Sequence, residues 1–334
     1  MVLFLLAQIR YNNASMKNFW DELPRPFFAL APMEAVTDIV FRQVVARAGR
    51  PDIFFTEFTN ATGWDAAGDK AIGGRLVKAE DEAPIVAQLW GAVPEAMAHM
   101  SCHAASLGYD GIDINMGCPD SSAVKTGGGS GMIRTPALAG EMITAAKTSG
   151  LPVSVKTRLG YSRVDEWQDW LAFLLQQDIA ALTIHLRTKK EMSKVPAHFE
   201  LLQPIRELRD AVAPHTPLMI NGDIIDRAHG EWLAEEHKVD GIMIGRGIFS
   251  NPFAFTGRTF TSPEGKKQQL LELLQLHLSL YDQWHEVTGR PYETLKRFYK
   301  IYIRDFEGSS DMRANLMQTK NTNEARALIA TLQR

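Results

Sequence analysis

Eight short apolar runs, most of them separated by longer amphipathic stretches, constrain this chain more than any other feature. The runs are Phe27–Met33, Asp52–Phe58, Pro84–Leu89, Gly111–Asn115, Pro152–Arg158, Ala180–Arg187, Pro217–Asn221 and Asp240–Arg246. Between them, Thr37–Ala48, Pro94–Leu107, Pro136–Thr148, Asp165–Gln177, Phe199–Ala211 and Asp226–Glu236 carry apolar residues at helical spacing. Apolar strands that alternate with helices pair in parallel and are buried on both faces. Eight strands predict an α/β fold, a (β/α)8 TIM barrel; an open doubly wound sheet has a similar local pattern. After Asn251-Pro252 the strand pattern stops, and Gln268–Val287, Tyr292–Phe306 and Asn323–Gln333 read as helices. The expected organisation is an N-terminal extension over 1–26, a barrel over 27–255 and an all-helical domain over 256–334. The aromatics Tyr281, Trp284, Phe298, Tyr299 and Tyr302 are expected to form the apolar stripe of those helices.

With 334 residues the chain can hold one barrel of about 250 residues and a modest addition. Its 45% hydrophobic and 22% charged residues exclude a mainly disordered chain. Its two cysteines, Cys102 and Cys118, cannot form a disulfide framework and suit a reducing, cytoplasmic setting in which a thiol stays free. Val2–Ala7 is apolar but far short of the roughly 20 residues of a membrane span, and lacks signal-peptide flanks. No membrane association is expected, the first fifteen residues are expected to dock loosely at most, and Met16 is an alternative start. Net charge is −3, so nothing global advertises a polyanionic partner. From Thr256 onward, however, twelve Lys and Arg stand against nine Asp and Glu.

Barrel enzymes keep their chemistry at the C-terminal ends of the strands. Here those ends carry Met33, Glu57, Gln88, Asn115 followed by Cys118, Lys156 with Arg158, His185 with Arg187, Asn221-Gly222-Asp223, and Gly245-Arg246-Gly247. The last two follow the seventh and eighth strands, where glycine lets backbone N–H groups approach a phosphate and Arg246 adds charge. Lys156 suits either a Schiff base or a positive charge beside a flavin ring. Gln88 is a candidate for the flavin's pyrimidine edge, and His185 and Arg187 share a face that an anion can meet. Cys118 opens a long segment, to about Thr135, rich in glycine (Gly127-Gly128-Gly129-Ser130-Gly131), which is expected to be a mobile lid.

These residues resemble the tRNA-dihydrouridine synthase family. Ala31–Asp38 resembles its opening motif at the flavin, which places Pro32 and Met33 there; Gln88–Gly91 resembles its third-strand motif. Asn115-Met116-Gly117-Cys118-Pro119 is similar to its catalytic-cysteine signature. Lys156-Thr157-Arg158, His185–Thr188, Asn221-Gly222-Asp223 and Gly245-Arg246-Gly247 follow in the family's order. Ala35 and Leu186 stand where the family usually has glycine, and Lys189–His198 departs from its usual sequence. The resemblance implies FMN reduced by NADPH, hydride transfer to C6 of a uridine in tRNA, and protonation of C5 by Cys118. Pro32, Met33, Gln88, Lys156, His185, Asn221, Gly222, Asp223, Gly245 and Arg246 would hold the flavin. Asn115 and Arg187 would face the flavin or uridine, and Lys296, Lys300 and Arg304, four apart on a helix, would dock RNA. No metal and no stable protein partner are implied, and a monomer is expected. The alternatives are a small-molecule flavin oxidoreductase of dihydroorotate dehydrogenase type, an aldolase using Lys156, and an RNA-binding module without catalysis.

Overall fold

Each apolar run supplies a strand of one parallel sheet in a computed structural model that describes residues 18–332. The strands are β1 (Phe27–Leu30), β2 (Phe54–Phe55), β3 (Ile85–Trp90), β4 (Gly111–Met116), β5 (Val153–Arg158), β6 (Ala181–His185), β7 (Leu218–Asn221) and β8 (Gly241–Ile244). Their order, β1-β8-β7-β6-β5-β4-β3-β2, brings β1 back beside β2. There a single bridge, Ala29 to Ile53, closes the barrel, supported by hydrogen bonds from Asp52 N–H to the Phe28 carbonyl (2.8 Å) and from Phe28 N–H to the Asp52 carboxylate (2.7 Å). The run over 52–58 is not continuous strand. It stops at Phe55, and a two-residue strand, Thr59–Asn60, pairs separately with the end of β3.

The helices start where the sequence provides caps. Asp38 accepts the Phe41 N–H ahead of α1 (Ile39–Gly49), and proline occupies the first turn of α2 (Pro94–Ser106) and α3 (Pro136–Lys147). Then come α4 (Trp167–Leu175), α5 (Leu202–Val212) and α6 (Arg227–His237), the last capped by Asp226. Alternation along each strand sends Phe28, Leu30, Ile112, Ile114, Val155 and Ile184 outward to the helices. Phe27, Phe55, Val86, Ala181, Met219 and Met243 fill the barrel's lower interior, and Trp20 joins them, edge-on to Phe27 with ring centroids 5.8 Å apart. The described part of the N-terminal extension therefore plugs the barrel floor; Val2–Ala7 and Met16 lie outside the described residues.

Beyond the barrel run α7 (Pro263–Thr288), α8 (Ser309–Gln318) and α9 (Thr322–Ala330). Ser262 caps α7, and Gly289, at φ 64°, ends it. Tyr281, Phe298, Tyr299 and Tyr302 are buried, and Phe298 stacks on Phe41 of α1 at 4.8 Å, so barrel and tail share one apolar core. The helix expected over Tyr292–Phe306 is instead two single turns, Glu293–Lys296 and Tyr299–Tyr302, ending at Ile303. Arg304 therefore falls past the helix, and its guanidinium donates to the Phe249 and Ser250 carbonyls. It fastens the tail to the barrel rather than joining an exposed cationic stripe. Among the described residues no helix is long and apolar enough to cross a membrane.

Candidate active site

Two adjacent cavities open at the C-terminal ends of the strands. The larger, about 530 Å³, is lined by Pro32 and Met33 after β1, Pro119 after β4, Lys156 and Arg158 of β5, His185 of β6, and the loops carrying Asn221-Gly222-Asp223 and Gly245-Arg246. Alternation on β5 turns Ser154, Lys156 and Arg158 to the barrel axis in rising layers. Lys156 Nζ donates to Asn221 Oδ1 (3.3 Å), and Asn221 Nδ2 donates to the Met243 carbonyl (2.8 Å).

The electrostatics of this cavity favour an anion. Burial, with Arg158 adding to it, pulls Lys156 down to about 8, and burial takes Arg158 to about 10. His185 is held well below its ordinary value by burial and then by Arg158, Lys156, Arg187 and Arg246, so it is neutral. Arg187 Nη1 lies 3.1 Å from His185 Nε2 and can only donate, which leaves the ring proton on Nδ1. The one acid lining the cavity, Asp223, pairs with Arg187 and with Arg246 (3.4 Å). The loops after β7 and β8 bring the backbone of Gly222, Asp223, Gly245 and Arg246 to this cavity. Gly222 has φ +121°, and a Cβ there would lie 3.0 Å from the His185 ring. Backbone of two loops at the strand ends, cations and glycines that keep the approach open together make a cradle fit for a phosphate.

Of the residues expected at the flavin, all but Gln88 line this cavity. Gln88 is fully buried in the barrel, donating from Nε2 to Asp113 (2.7 Å) and accepting at Oε1 from Asn115 (3.0 Å). Asn115, expected to face ligand, instead turns its carbonyl oxygen to the N–H groups of Gly117 (3.1 Å) and Cys118 (2.8 Å). Arg187 is 2% exposed and hydrogen-bonds the Val195 carbonyl, His185 and Asp223, which brace it in the wall. Lys296 lies over the Tyr292 ring and Lys300 over the Phe249 ring, and neither lines either cavity.

The second cavity, about 380 Å³, is lined by Cys118, Glu34, Trp90, Asn60, Arg75 and Asp120, the first two being chain neighbours of Pro119 and Met33 in the first cavity. Arg75 pairs with Glu34 across it. Burial pushes the Cys118 thiol above its ordinary value, so it carries its proton at neutral pH. Its loop is tightly held: Arg158 Nε donates to the Gly117 carbonyl (2.7 Å), and Ser130 N–H donates to the Cys118 carbonyl (2.9 Å). The segment expected as a mobile lid is folded, with a helix over Ser121–Lys125 and a 3-10 helix over Gly129–Arg134 whose first five residues are buried. Its glycines serve close approach rather than freedom. Gly129 has φ +53°, and a Cβ there would sit 2.8 Å from the Cys118 carbonyl oxygen. Cys102, by contrast, is exposed on α2.

The turn that separates the cavities is strained at Ala35, with φ 57°. It is clasped from two sides: Ala35 N–H donates to Glu57 (2.6 Å), and its carbonyl accepts from Arg297 of the tail (2.9 Å). Arg290, also from the tail, donates to the other Glu57 oxygen (2.6 Å). Relief of the left-handed strain, less the extra freedom of glycine in the unfolded chain, leaves Ala35→Gly more stable by about 0.5–1 kcal/mol. Urea denaturation checks this; a loss of stability would contradict it.

Arg75 and the buried Asp113 escape a reading of strand ends, and Trp90, which ends β3, is not singled out by it. Trp90 and Arg75 come from separate parts of the chain, whereas Asp113 leaves one trace, an acid two residues before Asn115 on the inward face of an apolar strand. Among known proteins, the family described as Dihydrouridine synthase (Dus) matches residues 29–334. A protein named probable tRNA-dihydrouridine synthase 2, from Bacillus subtilis, is 57% identical over 319 residues, covering 95% of this chain and 97% of that protein. A probable tRNA-dihydrouridine synthase of Staphylococcus aureus is 55% identical over 314 residues, covering 94% of this chain and 95% of its own length.

Proposed function

Since the chain belongs to the dihydrouridine synthase family, we propose that it reduces uridine in tRNA to 5,6-dihydrouridine, with FMN in the larger cavity and uracil reaching it past Cys118. The observation that carries this is the junction of the two cavities: a cationic, glycine-rich cradle on one side of a protonated thiol and an aromatic-walled opening on the other. Gly222, Asp223, Gly245 and Arg246 would hold the phosphate through backbone N–H groups and the guanidinium. Lys156, deep in the barrel, would keep positive charge beside the ring, and Pro32 and Met33 would wall it. FMN, reduced by NADPH, supplies the hydride for C6 of the uracil. Cys118 delivers its proton to C5, and the carbonyl of Asn115 and the guanidinium of Arg158 hold the thiol's loop for that transfer.

A uridine inside folded tRNA is unstacked to reach such a site, at a cost of about a few kcal/mol. Lys296 and Lys300, on the tail, are the proposed phosphate contacts, so affinity for tRNA falls as salt rises. The purified protein is expected to show flavin absorbance or to take up FMN, and to form dihydrouridine in tRNA with NADPH. Absence of flavin uptake would overturn the cofactor assignment. A flavoprotein that leaves tRNA unmodified and turns over free orotate would establish the small-molecule reductase instead.

A further inference from the structure

A fully buried carboxylate in the middle of β4 has no part in the chemistry above. Asp113 Oδ1 accepts from Ser154 Oγ (2.6 Å) and Oδ2 from Gln88 Nε2 (2.7 Å). Gln88 on β3 is its register partner across the sheet, and Asn115 lies two residues on, on the same inward face. We propose that Asp113 is a positioning residue for Cys118, acting by fixing the orientation of two side-chain amides in series.

The argument rests on what each group can donate. An ionised carboxylate only accepts, so Gln88 must turn its NH2 toward Asp113. That leaves Gln88 Oε1 for Asn115, which must answer with its own NH2. The remaining oxygen of Asn115 then faces the N–H groups of Gly117 and Cys118, and both hydrogen bonds form. Reversing the first amide reverses the second and sets an NH2 against two N–H donors, which would drive the Cys118 loop from its place. Gln88 and Asp113 are fully buried and Asn115 is 6% exposed, so bulk solvent offers neither amide an alternative partner. The inference deepens the reading of Cys118 as proton donor and rests on it.

The test compares Asp113→Leu with Asp113→Asn. Leucine removes the acceptor; asparagine keeps an oxygen for Gln88 because Ser154 can accept its NH2 in exchange. Displacement of a reacting group by about 1 Å is enough to cost on the order of 100-fold, so Asp113→Leu is expected to lower kcat for uridine reduction by about that factor. KM for tRNA should hold, and NADPH should still reduce the flavin. Asp113→Asn should retain activity within a few-fold. Peptide-resolved alkylation by iodoacetamide, with exposed Cys102 as internal reference, should show Cys118 reacting faster in Asp113→Leu and at the parent rate in Asp113→Asn. Gln88→Met breaks the series at its second link without a large change of volume and should reproduce the alkylation result should Asp113→Leu fail to fold. Equal losses in the Leu and Asn variants would overturn the proposal, since the negative charge beside Lys156 would then be what matters. Unchanged Cys118 alkylation in both Asp113→Leu and Gln88→Met would overturn it too. The alkylation readout does not depend on which group protonates C5; failure of the proton-donor reading shows separately, as full activity in Cys118→Ala.

Discussion

Cys118→Ala is expected to abolish most dihydrouridine formation, by about 10²–10⁴-fold, the usual contribution of a positioned acid, while bound flavin and its reduction by NADPH persist. The cradle residues are untouched by the change, and the thiol lines the other cavity. Burial raises the thiol's pKa, the opposite of what a thiolate nucleophile requires, so the side chain suits proton donation. The sign of the pH dependence follows. Activity that needs the protonated thiol is present through neutral pH and falls as pH rises past a value above the ordinary thiol range. Rapid mixing of NADPH-reduced enzyme with tRNA separates the steps: the variant's flavin should reduce normally and reoxidise on tRNA slowly. Cys102→Ala should be close to parent in both. Rapid reoxidation in Cys118→Ala would assign the proton to another group.

The second large effect is on stability. Arg42 on α1 is completely buried, donates through Nε and Nη2 to both oxygens of equally buried Glu82 (2.9 Å each), and also reaches the Thr37 and Val77 carbonyls (2.8 Å each). Arg42→Met would leave that carboxylate without a countercharge, with the Ala79 N–H (2.9 Å) as its remaining donor, and take the guanidinium from two carbonyls, at a cost of about 3–5 kcal/mol, or roughly 4–7 °C in Tm. Replacing both partners, Arg42→Met with Glu82→Leu, should recover much of the loss because no unpaired charge remains. Thermal denaturation of the two variants provides the check. A single substitution that costs no more than the double one would show that the pair contributes little beyond packing.

How much of this was legible in advance depends on how far apart the partners lie. The eight strands and six of the barrel's helices follow from periodicity and caps within a dozen residues of one another, and their boundaries shift by only a few residues, β2 excepted; the helix over Ala61–Ala67 was not among those expected. The polar residues at the strand ends were legible for the same reason: an apolar run that closes on Lys156-Thr157-Arg158 or Asn221-Gly222-Asp223 has few places to put them except the mouth of the barrel. Composition and the glycines at 127–131 suggested a loose lid, because glycine permits both mobility and tight packing, and sequence alone does not distinguish them. Only the folded chain shows Gly129 pressed against the Cys118 carbonyl. The same limit explains Arg304, whose cationic spacing with Lys296 and Lys300 required a continuous helix where the chain instead makes two single turns that end at Ile303.

The sequence by itself determined the barrel, the helical tail and the residue types gathered at the strand ends, since these depend on local periodicity and on where polar groups can be solvated. Tertiary structure decided which of those residues line a cavity and which brace one another. Gln88 and Asn115 turned inward because Asp113, an acceptor that full burial obliges to find donors, lies beside one across the sheet and two residues before the other. Arg187 was taken up by Asp223, and the Ala35 turn by Glu57 and Arg297, the last from 262 residues away in the chain. Hydrogen-bond partners that far apart leave no period in the sequence. Burial makes them obligatory, and only the fold brings them together.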